Sequence, residues 1–234
     1  MLLEDLYRRL SYGELSNLAL SNDGNGMIAE EAQPRIVIYA NEALMRLHTK
    51  FVLKNNVVLI TTMSHITMYP LRKRFAYSQR NTSTEPFYFI QDLDNDPFEE
   101  DVIKILDVYD IQGNHIPLND PELHNSVFTP QATTLQVPAS YETAELSLMY
   151  QAKHAHLHWQ EPHALIDIPD VLIEALTAYI AYKVFSHMNT MEASSKAQEH
   201  LSVFNGICGE VVDNDLVSTS ILQTNNRFAK RGWI

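Results

Sequence analysis

The sequence predicts an α+β fold in which a helical bundle, formed by the N- and C-terminal segments, carries an inserted β-rich domain. Two observations predict it. Apolar side chains recur at helical spacing near both ends of the 234-residue chain, and β-branched and aromatic runs occupy the region between them. Glycine is scarce, with 7 residues, and no tandem repeat occurs, so solenoids and propellers are excluded.

The first elements are predicted to be helices. Ser11 and Glu14 have the spacing of a capping box, which predicts a short helix that begins at Ser11. A longer amphipathic helix is predicted from Pro34, a favourable first residue, to Phe51. Residues 1–55 are therefore assigned to the N-terminal part of the helical core. The side chains predicted to pack inside it are Tyr39, Leu44, Leu47 and Phe51.

Strand propensity replaces helical spacing after residue 56. A hairpin is predicted where 103–109 return through His115 and Ile116, because Gln112-Gly113-Asn114 has turn chemistry. The other predicted strands are 57–62, 87–90, 133–137 and 145–159. Residues 56–160 are therefore assigned to the inserted β-rich domain.

Helical spacing returns at Pro169, and residues 161–213 are assigned to the C-terminal part of the helical core. Asn189 and Glu192 predict the start of the last helix. Gly206 and Gly209 lie inside that helix, where each costs about 1 kcal/mol relative to alanine. They indicate either a close backbone approach or a locally weak helix. The predicted packing residues here are Leu172, Leu176, Tyr179, Phe185, Leu201 and Phe204.

Charge is distributed unevenly along the chain. The total is 17 − 29 = −12, which argues against a basic nucleic-acid footprint. Residues 1–80 carry 10 − 7 = +3, residues 81–180 carry 2 − 17 = −15, and residues 181–234 carry 5 − 5 = 0. The acidic region is either a solvated surface or a wall that repels DNA. A candidate acidic surface facing DNA or a tail protein comprises Asp92, Asp94, Asp96, Glu99, Glu100 and Asp101.

Catalytic motifs are nearly absent from the sequence. No phosphate-binding glycine loop, Gly-x-Ser-x-Gly or His-Glu-x-x-His pattern occurs. His154, His156 and His158 alternate, so a strand would place all three on one face at the spacing of metal ligands. They are the basis of an alternative function, a metal-dependent hydrolase or metal-binding module. The preferred prediction is a non-enzymatic protein with no cofactor and no catalytic or metal-binding residues.

The sequence gives no sign of secretion or membrane insertion. The N-terminus is acidic where a signal peptide is basic, and the apolar runs are too short to cross a bilayer.

Residues 214–234 lack helical periodicity and are assigned to an extended C-terminal arm. The segment combines basic, aromatic and aliphatic side chains, a composition typical of interface anchors. The opposite interpretation is a tail folded back onto its own core. The residues predicted to bind a partner are Arg227, Phe228, Lys230, Arg231, Trp233 and Ile234.

Both ends of the chain carry short motifs that recur together in one family. They are LSYGELSNL at 10–18, NEAL at 41–44, DLVSTS at 215–220 and KRGW at 230–233. With these motifs the chain resembles the head-to-tail adaptor proteins of tailed bacteriophages, also called connector or head-completion proteins, and especially those of short-tailed phages. The resemblance covers the two helical ends.

The resemblance implies a structural virion protein, without catalysis, that forms a homo-oligomeric ring of twelve copies between the portal protein and the tail nozzle or another tail protein. DNA would pass through the channel without sequence-specific binding, and no membrane would be involved. The resemblance also implies that the arm binds the portal or a neighbouring subunit. The protein would be made in the host cytoplasm and reside at the head–tail junction. A tail nozzle or fibre-attachment protein is the alternative within the virion.

Overall fold

A computed structural model describes residues 1–16, 18, 27–81, 84–138 and 144–217. The chain divides into two compact units, Met1–Ile168 and Pro169–Ile234. The described residues contain both helices and sheets, which confirms the α+β class. The arrangement of the terminal helices as one bundle, and the boundaries of the inserted domain, stay predictions.

The first unit begins with helix α1 (Leu3–Tyr12), whose apolar residues Leu3, Leu6 and Leu10 are buried. The predicted helix start at Ser11 is wrong, because the helix ends there instead: the Gly13 N–H caps the carbonyl of Arg9 at 2.8 Å. Apolar residues spaced three and four apart from Leu3 onwards nucleate an earlier helix. Its first turn is held by backbone hydrogen bonds to residues 162 and 164.

Helix α2 (Gln33–Lys50) confirms the predicted amphipathic helix. Pro34 lies in its first turn, where a missing N–H costs no hydrogen bond. The helix ends at Lys50, and the N–H of the next residue, Phe51, donates to the carbonyl of Leu47 at 2.8 Å. The buried side chains fall on one side at helical spacing, including Ile36, Ala40, Ala43 and Leu47.

Eight strands follow α2 in the first unit, within the described residues, and all of their pairings are antiparallel. One sheet has five strands in the order β3-β1-β8-β4-β5, and the other has three in the order β2-β7-β6. The strands are β1 (Asn55–Thr61), β2 (Met68–Pro70), β3 (Ile90–Gln91), β4 (Val102–Asp110), β5 (His115–Ile116), β6 (Phe128–Gln131), β7 (Thr134–Gln136) and β8 (Glu145–Ala152).

Alternation along the strands gives the five-stranded sheet one buried face. Val58, Leu148 and Val108 lie side by side on β1, β8 and β4, and all three are buried. The predicted hairpin is confirmed between β4 and β5. Gly113 in its turn has φ +81°, and Asp110 accepts hydrogen bonds from the backbone N–H groups of 112 and 114.

Two predicted strands are longer than the observed ones. Only Ile90 of the predicted strand 87–90 lies in β3, which also includes Gln91. The predicted strand 145–159 ends at Ala152, where the backbone N–H bonds to Lys54 and the next N–H bonds to Asp101. These loop contacts replace the ladder beyond residue 152. A period-two pattern predicts alternation but does not show where the partner strand stops.

The described part of the second unit, residues 169–217, contains two helices joined by a short turn. Helix α3 (Ile173–Ser186) is buried on most sides, and α4 (Met191–Asp213) packs on it through Tyr179 and Phe204, whose rings lie 5.1 Å apart. Helix α3 begins four residues after the predicted start at Pro169, because a short 3₁₀ turn at Asp170–Leu172 comes first. The predicted cap at Asn189 is also wrong. Thr190 caps α4 by accepting the Ala193 N–H at 3.1 Å.

The ten side chains predicted to pack the helices are nearly all inaccessible to solvent. Nine are buried, and Leu201, on α4, is half-buried. Within the part of the chain that the structure describes, no helix is both long enough and apolar enough to span a bilayer.

The two glycines of α4 give a test of the helix. A Cβ added at Gly206 or Gly209 meets no atom within 4 Å. Gly206→Ala and Gly209→Ala should therefore each raise the free energy of unfolding by about 1 kcal/mol, because alanine has less backbone freedom to lose. Urea unfolding followed by circular dichroism measures the change.

Gly113→Ala is the control and should lower the free energy of unfolding, because the positive φ of Gly113 disfavours a residue with a Cβ. Destabilisation by the α4 substitutions would contradict the open surroundings of these glycines.

Candidate functional site

Most of the predicted assembly arm, from residue 218 to residue 234, lies outside the described residues. This applies to every residue assigned to its interface, namely Arg227, Phe228, Lys230, Arg231, Trp233 and Ile234. The remaining candidate sites all lie in the first unit, and the structure gives their geometry.

The candidate acidic surface begins with Asp92, whose carboxylate organises a loop. It accepts hydrogen bonds from the Ser78 N–H at 2.7 Å, the Ser78 hydroxyl at 2.6 Å and the Phe98 N–H at 2.9 Å. Burial disfavours the ionised form, but these hydrogen bonds outweigh it and hold the pKa of Asp92 below its usual value. The Asp92 carboxylate therefore stabilises the conformation of its own loop.

Basic residues compensate most of the other carboxylates. Glu100 accepts from the Arg72 guanidinium at 2.8 Å and from the Lys73 N–H at 2.9 Å. Although burial opposes ionisation, these two donors lower the pKa of Glu100. Three further ion pairs join Glu99 to Lys73, Asp94 to Arg80, and Asp101 to Lys54.

The acidic and basic stretches of the sequence therefore meet in space. The residues from 92 to 101 that gave the middle region its negative charge lie against basic residues from 54 to 80. The surface is less negative than the sequence alone suggests. These ion pairs weaken the interpretation of the acidic region as a wall that repels DNA. Its orientation toward DNA or a tail protein stays a prediction.

The histidine trio is divided by the fold. The prediction that His154, His156 and His158 share one face of a strand is wrong, because β8 ends at Ala152. His154 is bonded at both ring nitrogens: Nδ1 donates to the carbonyl of Ala155 at 2.6 Å, and Nε2 accepts the Asp167 N–H at 3.0 Å.

His156 and His158 neighbour each other, with ring centroids 5.0 Å apart. In the described ranges, no three His, Cys, Asp or Glu side chains are grouped so that they could hold a metal ion.

A buried polar joint connects α2 to β8, and sequence analysis missed it. We use the term polar joint for Asn41, His48 and Gln151. The Gln151 amide donates to the carbonyl of His48 and, at 3.0 Å, to that of Phe51. His48 Nδ1 donates to the carbonyl of Ala152 at 3.2 Å. The contact from Gln151 to His48 satisfies a carbonyl in the last turn of α2, where carbonyls have no partner inside the helix.

Asn41 completes the polar joint from a position seven residues, or about two turns, before His48 on the same helix. Its Oδ1 accepts the Leu157 N–H at 2.9 Å, and its Nδ2 donates to the Leu157 carbonyl at 3.0 Å. The side chain thus pairs with an extended segment as a strand would. The spacing of Asn41 and His48, seven residues apart on the apolar side of α2, was the available signal.

Burial favours the neutral form of His48 in the folded protein. Burial is the main cause of its lowered pKa; the neighbouring His154 and Lys54 lower it further, while the Ala152 hydrogen bond and Asp167 act in the opposite direction. The two imidazole rings meet edge to face with centroids 5.6 Å apart. Burial also lowers the pKa of His154. His48 Nε2 is buried without a hydrogen-bond partner among the described residues, so a proton there has no acceptor.

The second feature missed by sequence analysis is the outer face of the five-stranded sheet. We use the term outer sheet face for Val57, Leu59, Met149, Tyr109 and Asp107. Val57 is 59% exposed and Leu59 is 50% exposed, while the other three side chains are half-buried. They lie on the face opposite the core because strand side chains alternate.

No family of known proteins and no curated protein sequence matches this chain. The resemblance described above therefore stands on its own motifs.

The neutral histidines predict a specific pH dependence. Above pH 6.5, the ordinary histidine pKa, folded and unfolded chains both keep these groups neutral and the stability is complete. As the pH falls below 6.5 toward the lower folded pKa values, the unfolded chain binds more protons and stability is lost, by at most about 1.4 kcal/mol per pH unit for each histidine. Unfolding free energies measured from about pH 8 to about pH 5 test this.

His48→Asn separates this effect from other titrations. The amide N–H occupies the place of Nδ1–H and does not titrate, so the pH slope below pH 6.5 should decrease while the absolute stability falls through lost packing. His124→Asn, at an exposed position, is the matched control and should keep the wild-type slope. Equal slopes in all three proteins would contradict a titrating role for His48.

Two aspartates of the same loop should differ in their importance. Asp92→Asn removes a charged acceptor from three hydrogen bonds and should lower the free energy of unfolding by about 1–3 kcal/mol. Asp94→Asn removes one exposed ion pair and should cost about 0.5 kcal/mol or less. Urea denaturation at neutral pH compares them, and equal losses would show that Asp92 does not organise the loop.

Proposed function

We propose that this chain is a structural virion protein, a head-to-tail adaptor that forms a ring between the portal and the tail around the DNA channel. Twelve copies would surround the channel, at the head–tail junction, after synthesis in the host cytoplasm. The partners would be the portal protein above and a tail nozzle or another tail protein below, with DNA passing through unread.

The observation that carries the proposal is a contrast between two groups of side chains in the described part of the first unit. Residues whose side chains could carry out chemistry are used in internal hydrogen bonds and ion pairs: Asp92 holds a loop, His48 bonds α2 to Ala152, His154 accepts the Asp167 N–H, and Glu100 pairs with Arg72. Apolar residues such as Leu59 are left at the surface. This contrast is typical of proteins that work by binding other polypeptides.

The resemblance at the two helical ends supplies the identity of the partners. Its motifs begin in α1 and end in the arm, so the resemblance covers the two ends of the chain and not the β-rich region between them. The arm would bind the portal or a neighbouring subunit through Phe228 and Trp233, anchored by basic side chains on either side.

Deletion of residues 227–234 tests the proposal. The truncated protein should keep the far-ultraviolet circular dichroism and thermal unfolding of the full chain, because the deletion removes none of the helices and sheets that the structure describes. Its affinity for the portal protein encoded in the same genome should fall by about tenfold or more, as loss of aromatic anchors does. Co-sedimentation of the mixed proteins measures binding.

Point variants identify the source of the loss. Phe228→Ala and Trp233→Ala should weaken portal binding, whereas Phe87→Ala, at an exposed aromatic position in the first unit, is the matched control and should bind normally. Unchanged binding by the truncated protein would contradict a role for the arm. Failure of the full chain to bind portal, with binding to tail components instead, would favour a tail-side virion protein.

A further inference from the structure

The outer sheet face is contiguous across three neighbouring strands. The strand register places Val57 beside Met149 and Met149 beside Asp107, and in the next row Leu59 lies beside Ser147 and Ser147 beside Tyr109. Adjacent strands are about 4.8 Å apart, so these side chains are neighbours on one face of the sheet. Burial and the negative charge of Asp107 raise the pKa of Tyr109, which is half-buried in this surface.

The same sheet face is covered at one end and open at the other. Gln151, which shares the outward direction of Met149 on β8, is buried beneath the end of α2. Nothing in the described residues covers Val57 or Leu59 to that extent. An apolar sheet face of this kind marks a binding surface more often than a solvated one.

A complementary surface lies on the exposed side of α2. We use the term α2 stripe for Ile38, Met45, Arg46 and Lys50. Ile38 is 57% exposed and Met45 is 43% exposed, and because they are seven residues apart they share one side of the helix. Arg46 and Lys50 are exposed and form no ion pair with any residue the structure describes.

Charge favours contact between these two surfaces. The exposed side of α2 has three basic residues, Arg35, Arg46 and Lys50, against Glu42. The outward positions of the sheet have two carboxylates, Asp107 and Glu145, against Lys104 and His115, whose Nε2 lies 3.1 Å from Asp107 Oδ1. Each surface combines an apolar centre with the charge that the other lacks, which favours one pairing over self-pairing of either surface.

We propose that the outer sheet face of one copy receives the α2 stripe of a second copy. The inference deepens the proposed function and rests on it, since a ring requires a contact between subunits. Two different surfaces of the same chain meet in this contact, so it is heterologous, and repetition of a heterologous contact generates a closed ring or a filament. The two surfaces belong to one compact unit, whose α2 is held by the polar joint, so each copy presents both in a fixed relation.

Analytical ultracentrifugation of the full chain, without portal, tests the contact. The wild-type protein should self-associate as its concentration is raised through the micromolar range. Leu59→Glu disrupts the outer sheet face, and Met45→Glu disrupts the α2 stripe. Each variant alone should lose at least about tenfold in association constant, because a carboxylate would be buried in the contact.

A mixture of the two variants is the decisive arm. Leu59→Glu keeps an intact α2 stripe and Met45→Glu keeps an intact outer sheet face, so together they can form one contact and should stop at a heterodimer. Leu123→Glu, at another exposed leucine, is the matched control and should associate like the wild type. Circular dichroism checks folding, and Val57→Lys provides a second substitution on the sheet face.

Three results would overturn the inference: a wild-type protein that stays monomeric, variants that associate normally, or a mixture that does not form a heterodimer. None of them bears on portal binding, which the truncation experiment measures separately. Loss of portal binding with intact self-association would contradict the proposed function and leave the contact standing.

Discussion

The first unit depends on a small set of buried hydrogen bonds at the end of α2. Gln151 lies on β8, the central strand of the five-stranded sheet, and its amide donates to the carbonyl of His48, in the last turn of α2, and to that of Phe51, which directly follows the helix. Because an unpaired buried polar group costs about 1–3 kcal/mol, this geometry favours a single seating of the helix on the sheet. His48 and Asn41 extend the same constraint along α2, so helix and sheet form one body with defined surfaces.

That constraint has a consequence for the surface. Seating the end of α2 over Gln151 covers one end of the outer sheet face and leaves Val57 and Leu59 open. The acidic loop is treated differently: its carboxylates are matched by hydrogen-bond donors and by basic residues that precede it in the chain. The fold therefore neutralises its charged loop internally while it leaves an apolar sheet face at the surface. Both choices fit a protein whose work is assembly.

Local signals in the sequence predicted the elements that local interactions determine. The amphipathic spacing of α2, the β-branched run of β1 and the turn at Gly113 each contain their own cause, and all three were correct. The end of β8 and the polar joint depend on partners distant in the sequence, such as Lys54 for Ala152 and His48 for Gln151, and His154 is held by Asp167, 13 residues further along the chain. Regional charge sums failed for the same reason, since they cannot show that the loop at Asp94 folds against Arg80. The alternation of the three histidines predicted a strand, yet β8 ends at Ala152, before the first of them.

We propose that this chain joins a bacteriophage head to its tail by binding proteins of both. Electron microscopy of the full chain mixed with purified portal protein tests it most directly. The account predicts added density in the form of a ring on the tail-facing side of the portal, coaxial with its channel, with the β-rich units resolved as separate features. A portal indistinguishable from the untreated sample, under conditions where the chain is folded and in excess, would contradict it.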